Sequence, residues 1–364
     1  MRRILLACGV SVLIYTVLFA FVLDRPLSLG ALRARIEAGL ARGAAIEGPK
    51  LVILAGSNGP YSHRCETIEP ILGRPCINAG IAVGIGLDYL FARWKKLLHP
   101  GDIVYMPLEE AQSVRSRATA ELGPDAAILL RHDRATLWSM PLHRRIAALF
   151  ASDLRGGIMS LIEMALVRGG FRDPREAATG SFNARGDHVG HTRLLGSISQ
   201  AALAAARPFH PSASELRNGY GASLVREFLD WANGQGIGVV GGLPTGFVDS
   251  PIDEDAVAAI RSIYRDGGAA FLELPGRSRY PRSAFFDTPD HLNEAAQISH
   301  SVAVGRALRQ MAAEPAGPGG EASGVVARPD TPALTAPGLS GGLSATPMRL
   351  RAARGGPDKP GHDD

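Results

Sequence analysis

The order of apolar runs and helical periods predicts an α/β fold, a doubly wound five-stranded parallel sheet with helices on both faces. Three observations lead there. Five short apolar runs, at 51–55, 75–80, 102–107, 237–243 and 269–273, are bounded by Gly, Pro, Asn or Asp, as strands buried on both faces read. Helical periods separate them, so strand–helix–strand units repeat and neighbouring strands run parallel. Each run also leads into a turn, so those turns gather on one edge of the sheet, where open α/β sheets place their chemistry.

The elements follow in order. Residues 4–23 carry no charge and no proline. About 20 apolar residues span a bilayer core of about 30 Å as a helix. With Arg2 and Arg3 in front and no small-residue cleavage site, the run is expected to be an uncleaved anchor, residues 1–24. The body is then expected outside the cytoplasm, in a periplasm where the cell has one, as a single-pass inner-membrane protein. Residues 25–48, rich in Ala and Arg, are expected to form a partly helical juxtamembrane linker. The folded domain is expected at 49–311.

Within the domain, the first strand ends in Gly56-Ser57-Asn58-Gly59, and a helix follows at 64–72. The second strand ends at Gly80. Leu87, Leu90, Phe91, Trp94, Leu97 and Leu98 fall on one helical face, which Pro100-Gly101 stops. The third strand runs into Leu108-Glu109-Glu110. Residues 111–210 carry helical patches at 142–150 and 158–167 and no strong strand. They are expected to be an insertion over the active edge of the sheet, with Arg144 and Arg145 available to an acidic glycan and His188 and His191 as surface histidines. Alternation then resumes: a helix at 220–233, the fourth strand, a helix at 253–265, the fifth strand, a loop at 277–286 and a last helix at 291–311. Residues 312–364, mostly Pro, Gly, Ala and Ser, are expected to be disordered.

Composition excludes some classes. The net charge is only +4, and the arginines are dispersed without interleaved aromatics, so no nucleic-acid partner is expected. Ala82-Val83-Gly84-Ile85-Gly86 does not match the dinucleotide fingerprint, and no phosphate-loop lysine is present. No Cys-x-x-Cys pair suggests a metal, and no cofactor is expected. Cys8 lies in the apolar run. Cys65 and Cys76 flank the helix after the first strand, and their spacing fits either a disulfide or two buried thiols.

The polar landmarks on the expected edge are Ser57 after the first strand, Asn78 and Gly80 after the second, Glu109 and Glu110 after the third, and Asp287, Asp290 and His291 before the last helix. A serine becomes a nucleophile when a base takes its proton. A histidine held by a carboxylate is the usual base.

This set resembles the SGNH/GDSL hydrolase superfamily over roughly residues 50–311. It is most similar to membrane-anchored bacterial members combining a Gly-Ser-Asn first block, a strand ending in Pro-Leu-Glu and an Asp-Thr-Pro-x-His-Leu-Asn last block. The resemblance implies a three-layer sandwich with Ser57 as nucleophile, His291 as base and Asp287 as its carboxylate. Gly80, with Asn78 beside it, would serve the oxyanion. Three departures stand out. Gly56 occupies the place of the first-block Asp. Glu109 or Glu110, with Gln112 nearby, stands where an asparagine donor belongs. Asp287 lies four residues before His291 rather than three. The implied function is an esterase or O-acyltransferase on cell-envelope or exported polysaccharide. The departures leave a second expectation, an inactive fold that binds glycan or scaffolds an envelope assembly.

Overall fold

The computed structural model describes residues 2–21, 27–150, 162, 165–166, 168–170 and 181–313. It contains a five-stranded sheet, parallel throughout: β1 Leu51–Ile53, β2 Cys76–Asn78, β3 Ile103–Met106, β4 Gly238–Gly242 and β6 Ala270–Leu272, in the order β2-β1-β3-β4-β6. The expected parallel α/β sheet is thus present, with each strand two or three residues shorter in total than its apolar run. The chain leaves β1 toward β2 and returns on the other side as β3. The crevice outside the ends of β1 and β3 is therefore the switch point of the sheet, where doubly wound folds bind ligands. A second, two-stranded parallel sheet, β5 Gly246–Phe247 with β7 Arg279–Tyr280, was not foreseen. Two-residue strands carry no periodicity to read.

Strand side chains alternate between two cores, as a period of two requires. Val52, Leu54, Val104 and Met106 join one cluster with Leu90, Trp94, Phe228 and Ile260. Leu51, Ile53, Ala55 and Tyr105 join the other with Ile68, Val304 and Leu308 of the helices Cys65–Leu72 and Glu294–Ala313.

Helix α1 spans Arg2–Phe21 and exposes its apolar side chains from Ile4 to Val17. Among the described residues no helix is long and apolar enough to cross a membrane. The expected span is not found there, and its last two residues, 22 and 23, lie outside the described residues. Helix α2, Leu27–Ala45, does more than link. Ile36 and Leu40 are buried in the first core, and Gly39 and Gly43 pass against the Trp94 ring. The helix expected at 158–167 and the tail from 314 onward fall largely or wholly outside the described residues.

Arg144 is not available to a ligand. It is fully buried and paired with Asp88 and Asp125, while Arg145 is tied to the carbonyls of Trp138 and Met140. A buried guanidinium requires such partners.

Candidate active site

The turn after β1 becomes the short helix α3, Asn58–Ser62, with Ser57 as its N-cap. The six residues from Ser57 to Ser62 build most of the site. Gly56, Gly59 and Gly80 let the β1 and β2 turns touch backbone to backbone. A Cβ on Gly80 would lie 2.7 Å from the Gly56 carbonyl and 2.8 Å from the Gly59 Cα. Gly80 lies against the residues on either side of Ser57, and its N–H makes a long bond to Asn78 Oδ1 (3.3 Å). Among the described residues no partner takes the Ser57 N–H. Asn78 is engaged elsewhere: its amide donates to the carbonyls of Gly59 and His63 (2.9 Å each) and faces Asp187 Oδ1 (3.3 Å).

Asp287 and His291 meet as a pair. Phe286 N–H donates to the His291 carbonyl (2.8 Å), closing the loop between them. His291 Nδ1–H then donates to Asp287 Oδ1 at 2.6 Å, so the four-residue spacing still joins carboxylate and ring. That bond fixes the tautomer and leaves Nε2 as an acceptor. Burial pushes the Asp287 carboxyl up, but the hydrogen bond and proximity of His291 outweigh it and hold the carboxyl below its usual range.

Helix α3 carries this loop. Ser62 Oγ lies 2.8 Å from the Asp290 carbonyl and accepts from Leu292 N–H at 3.3 Å, bracketing the His291 peptide. One turn after Ser57, Tyr61 stacks on the His291 ring, with centroids 4.0 Å apart and planes 10° from parallel. Its other face stacks on His188 at 4.2 Å. His188 and His191 share an Nδ1–Nδ1 hydrogen bond of 3.0 Å, and His191 is 1% exposed. The expectation of surface histidines is corrected here: the segment 181–191 folds back over α3, with His188 N–H on the Pro60 carbonyl. Burial first, and the neighbouring ring second for His188, push the two imidazoles down to about 3 and about 4. Both are neutral at physiological pH.

The third block holds an acceptor instead of a donor. Glu109 Oε1 accepts from Ser57 Oγ (3.2 Å) and from Asn58 N–H (3.0 Å), and Gln112 Oε1 accepts from Glu109 N–H (3.1 Å). A Cβ on Gly56 would lie 2.5 Å from Glu109 Oε1. Two departures from the resembled pattern therefore compensate: the carboxylate missing at 56 leaves the room that the Glu109 carboxylate occupies. Ser57 Oγ–H points to Glu109 and not to His291 among the described contacts. Glu110 faces away, paired with His210 (3.1 Å) and Arg279 (3.4 Å).

Sequence reasoning missed Tyr61 and Arg35 and left His188 and His191 at the surface. Arg35, on α2, donates to the Gly80 carbonyl (3.3 Å) and lies over Phe182 at 3.9 Å. Burial pulls its guanidinium down to about 10. The one usable signal was Tyr61, four residues after Ser57 and hence on the same helical face. Cys65 and Cys76 form a disulfide that ties α4, Cys65–Leu72, to the start of β2. Asp187 caps α4 by accepting from the N–H groups of Cys65 (2.8 Å) and Glu66 (3.1 Å).

Two hollows are lined by residues that touch the Ser57 turn, Gly80 in one and Glu109 in the other. One of about 140 Å³ lies on the β2 side beside Arg35 and Gly80. The other, about 260 Å³, lies on the β3–β4 side behind Glu109. Among the described residues no cluster of three or more potential metal ligands occurs. No family model matches the chain, and no curated protein or solved structure matches it either.

Proposed function

We propose that this chain is a serine esterase or O-acyltransferase held at a membrane by its N-terminal helix, with its α/β domain outside the cytoplasm. The observation that carries the reading is the coupling of Ser57 to a histidine–carboxylate pair through α3. Ser57 begins the helix, Tyr61 one turn on stacks against His291, and His291 is bound to Asp287. Ser57 Oγ would attack an ester carbonyl and pass its proton to His291 Nε2, with Asp287 stabilising the imidazolium. The N–H groups of Ser57 and Gly80 are the candidates to hold the developing oxyanion. His291 would then protonate the leaving alcohol, and water or a sugar hydroxyl would clear the acyl-serine.

The SGNH-like pattern in the sequence supplies the polysaccharide substrate. A disulfide supports an oxidising compartment. The uncharged run 4–23 and the exposed apolar face of α1 support the anchor.

Covalent labelling tests the reading. Full-length protein in detergent, treated with a fluorophosphonate, should carry the adduct on Ser57. Ser57→Ala should abolish it, and His291→Ala should slow it by about 10²-fold or more. Failure of a folded wild-type protein to label would overturn the hydrolase reading. The second reading, a non-catalytic binder of glycan, is favoured by one observation: the Ser57 hydroxyl is already committed to a carboxylate, Glu109. It predicts no labelling in wild type but labelling restored in neither Glu109→Gln nor Glu109→Ala.

A further inference from the structure

We infer that the cavity on the β3–β4 side of Ser57 is a subsite for one uncharged, hydroxyl-bearing ring the size of a monosaccharide unit. Its role in the reaction rests on the esterase reading above; its binding does not.

Size comes first. At about 30 Å³ per water in the liquid, a space of about 260 Å³ suits a single small ring rather than a long chain. The walls mix donors and acceptors. Glu109 and Glu110 present carboxylate oxygens. Arg279 lines the same cavity with its side chain 7% exposed, and its Nε–H has no hydrogen-bond partner. A buried unsatisfied donor is costly, and a bound acceptor removes that cost. Asp290 faces the two glutamates. Burial first, then repulsion from Glu109 and Glu110, raises its carboxyl to about 8, which favours the protonated, donating form over that of an ordinary carboxylate. Phe209 stands at the rim, 63% exposed, offering a flat apolar face.

These features exclude other ligands. A phosphate or carboxylate would meet Glu109 and Glu110, and Arg279 is already shared with Glu110. An acyl chain would leave Arg279 Nε unpaired. A ring hydroxyl both donates and accepts, so adjacent hydroxyls match the alternating wall while C–H groups lie on Phe209. Glu109 belongs to this wall and also binds Ser57 Oγ at 3.2 Å. One residue, Glu109, thus separates the ring from the nucleophile, and we place the ring as the alcohol half of the ester. When Ser57 Oγ bonds the acyl carbon, the bond from that carbon to the exocyclic ester oxygen on the ring breaks, and that oxygen leaves as a ring hydroxyl with the proton that Ser57 gave to His291.

The test is saturation-transfer NMR on full-length protein in detergent, with the methyl glycosides of glucose, galactose and mannose and with methyl glucuronide as the charged counterpart. At least one neutral glycoside should bind, about tenfold tighter than the uronide. Phe209→Ala, an exposed position that leaves the fold intact, and Arg279→Lys should each weaken binding by about tenfold. No binding of any neutral glycoside, a preference for the uronide, or unchanged binding in both variants would each overturn the proposal. Fluorophosphonate labelling on the same samples separates the two readings. Labelled Ser57 without sugar binding refutes the subsite alone. Sugar binding without labelling supports the subsite and refutes the esterase.

Discussion

The Cys65–Cys76 disulfide makes the most direct stability prediction. The bond closes a loop across a sequence separation of 11 residues and joins the first turn of α4 to the first residue of β2. Both cysteines are fully buried, so alanine is the milder replacement. A loop of about a dozen residues restricts the unfolded chain by roughly 9–10 cal/mol/K, or about 3 kcal/mol at 25 °C. For a domain of this size each kcal/mol moves the melting temperature by about 2–4 °C, so the loss should be roughly 6–12 °C. The assay is urea unfolding of Cys65→Ala/Cys76→Ala in a Cys8→Ala background, beside the oxidised and the dithiothreitol-treated parent. Oxidised parent should be the most stable, and reduction should take it most of the way to the double variant. Thiol titration of denatured wild type should find one free thiol before reduction and three after it, since the chain has three cysteines. Equal midpoints for oxidised and reduced protein, or three free thiols at the outset, would refute the reasoning.

Three further perturbations test other parts of the structure. Asp290 keeps its proton up to about pH 8 in the folded state, whereas the unfolded carboxyl loses it near about pH 4. The folded state therefore binds more protons between those values, and wild type loses stability as pH rises through them. Asp290→Asn should match wild type below about pH 4 and exceed it by about 1–2 kcal/mol above about pH 8, a figure reduced for water reaching the cavity; a gain independent of pH would contradict this. Gly80→Ala drives a methyl into the Gly56 carbonyl and Pro60 ring, each 2.7 Å away. It should cost about 1–3 kcal/mol in urea unfolding and lower Ser57 labelling, and full stability with full labelling would show that the two turns do not touch. Lys50 and Asp102 form an ion pair of 2.8 Å with side chains 0% and 1% exposed. Lys50→Met should cost about 3 kcal/mol by leaving the carboxylate buried with only the N–H groups of Lys50 and His99, and a change under about 1 kcal/mol would show that water reaches the pair.

What could be read from the chain was what repeats or clusters locally. The five apolar runs alternate with helical periods, so their existence and parallel order were legible, with ends misplaced by two residues at most. Asp287 and His291 lie on one loop, and their pairing required no distant information. The remainder depends on contacts between residues far apart in the chain. Tyr61 has no period of its own. Its stacking partners come from residues 188 and 291, brought together only when the insertion folds back. Arg35 was hidden in the Ala- and Arg-rich stretch expected to be a linker, because nothing local shows that α2 packs Ile36 and Leu40 into the core. Arg144 read as a ligand group because its partners, Asp88 and Asp125, lie 56 and 19 residues away. Gly56 read as a defect until Glu109 was found in the space it leaves.

The attachment of the 286–292 loop to α3 bears on motion. Ser62 grips the peptides on both sides of His291, Tyr61 lies flat on its ring, and Ser57 begins the same short helix. Nucleophile and base are thereby mounted on one rigid piece. Breathing of the sheet, or displacement of the insertion relative to it, moves that piece as a whole and leaves the internal spacing nearly constant. Amide hydrogens of Tyr61 and Leu292 should consequently exchange in one cooperative opening event, with the same dependence on low concentrations of urea, although 231 positions separate them in the chain.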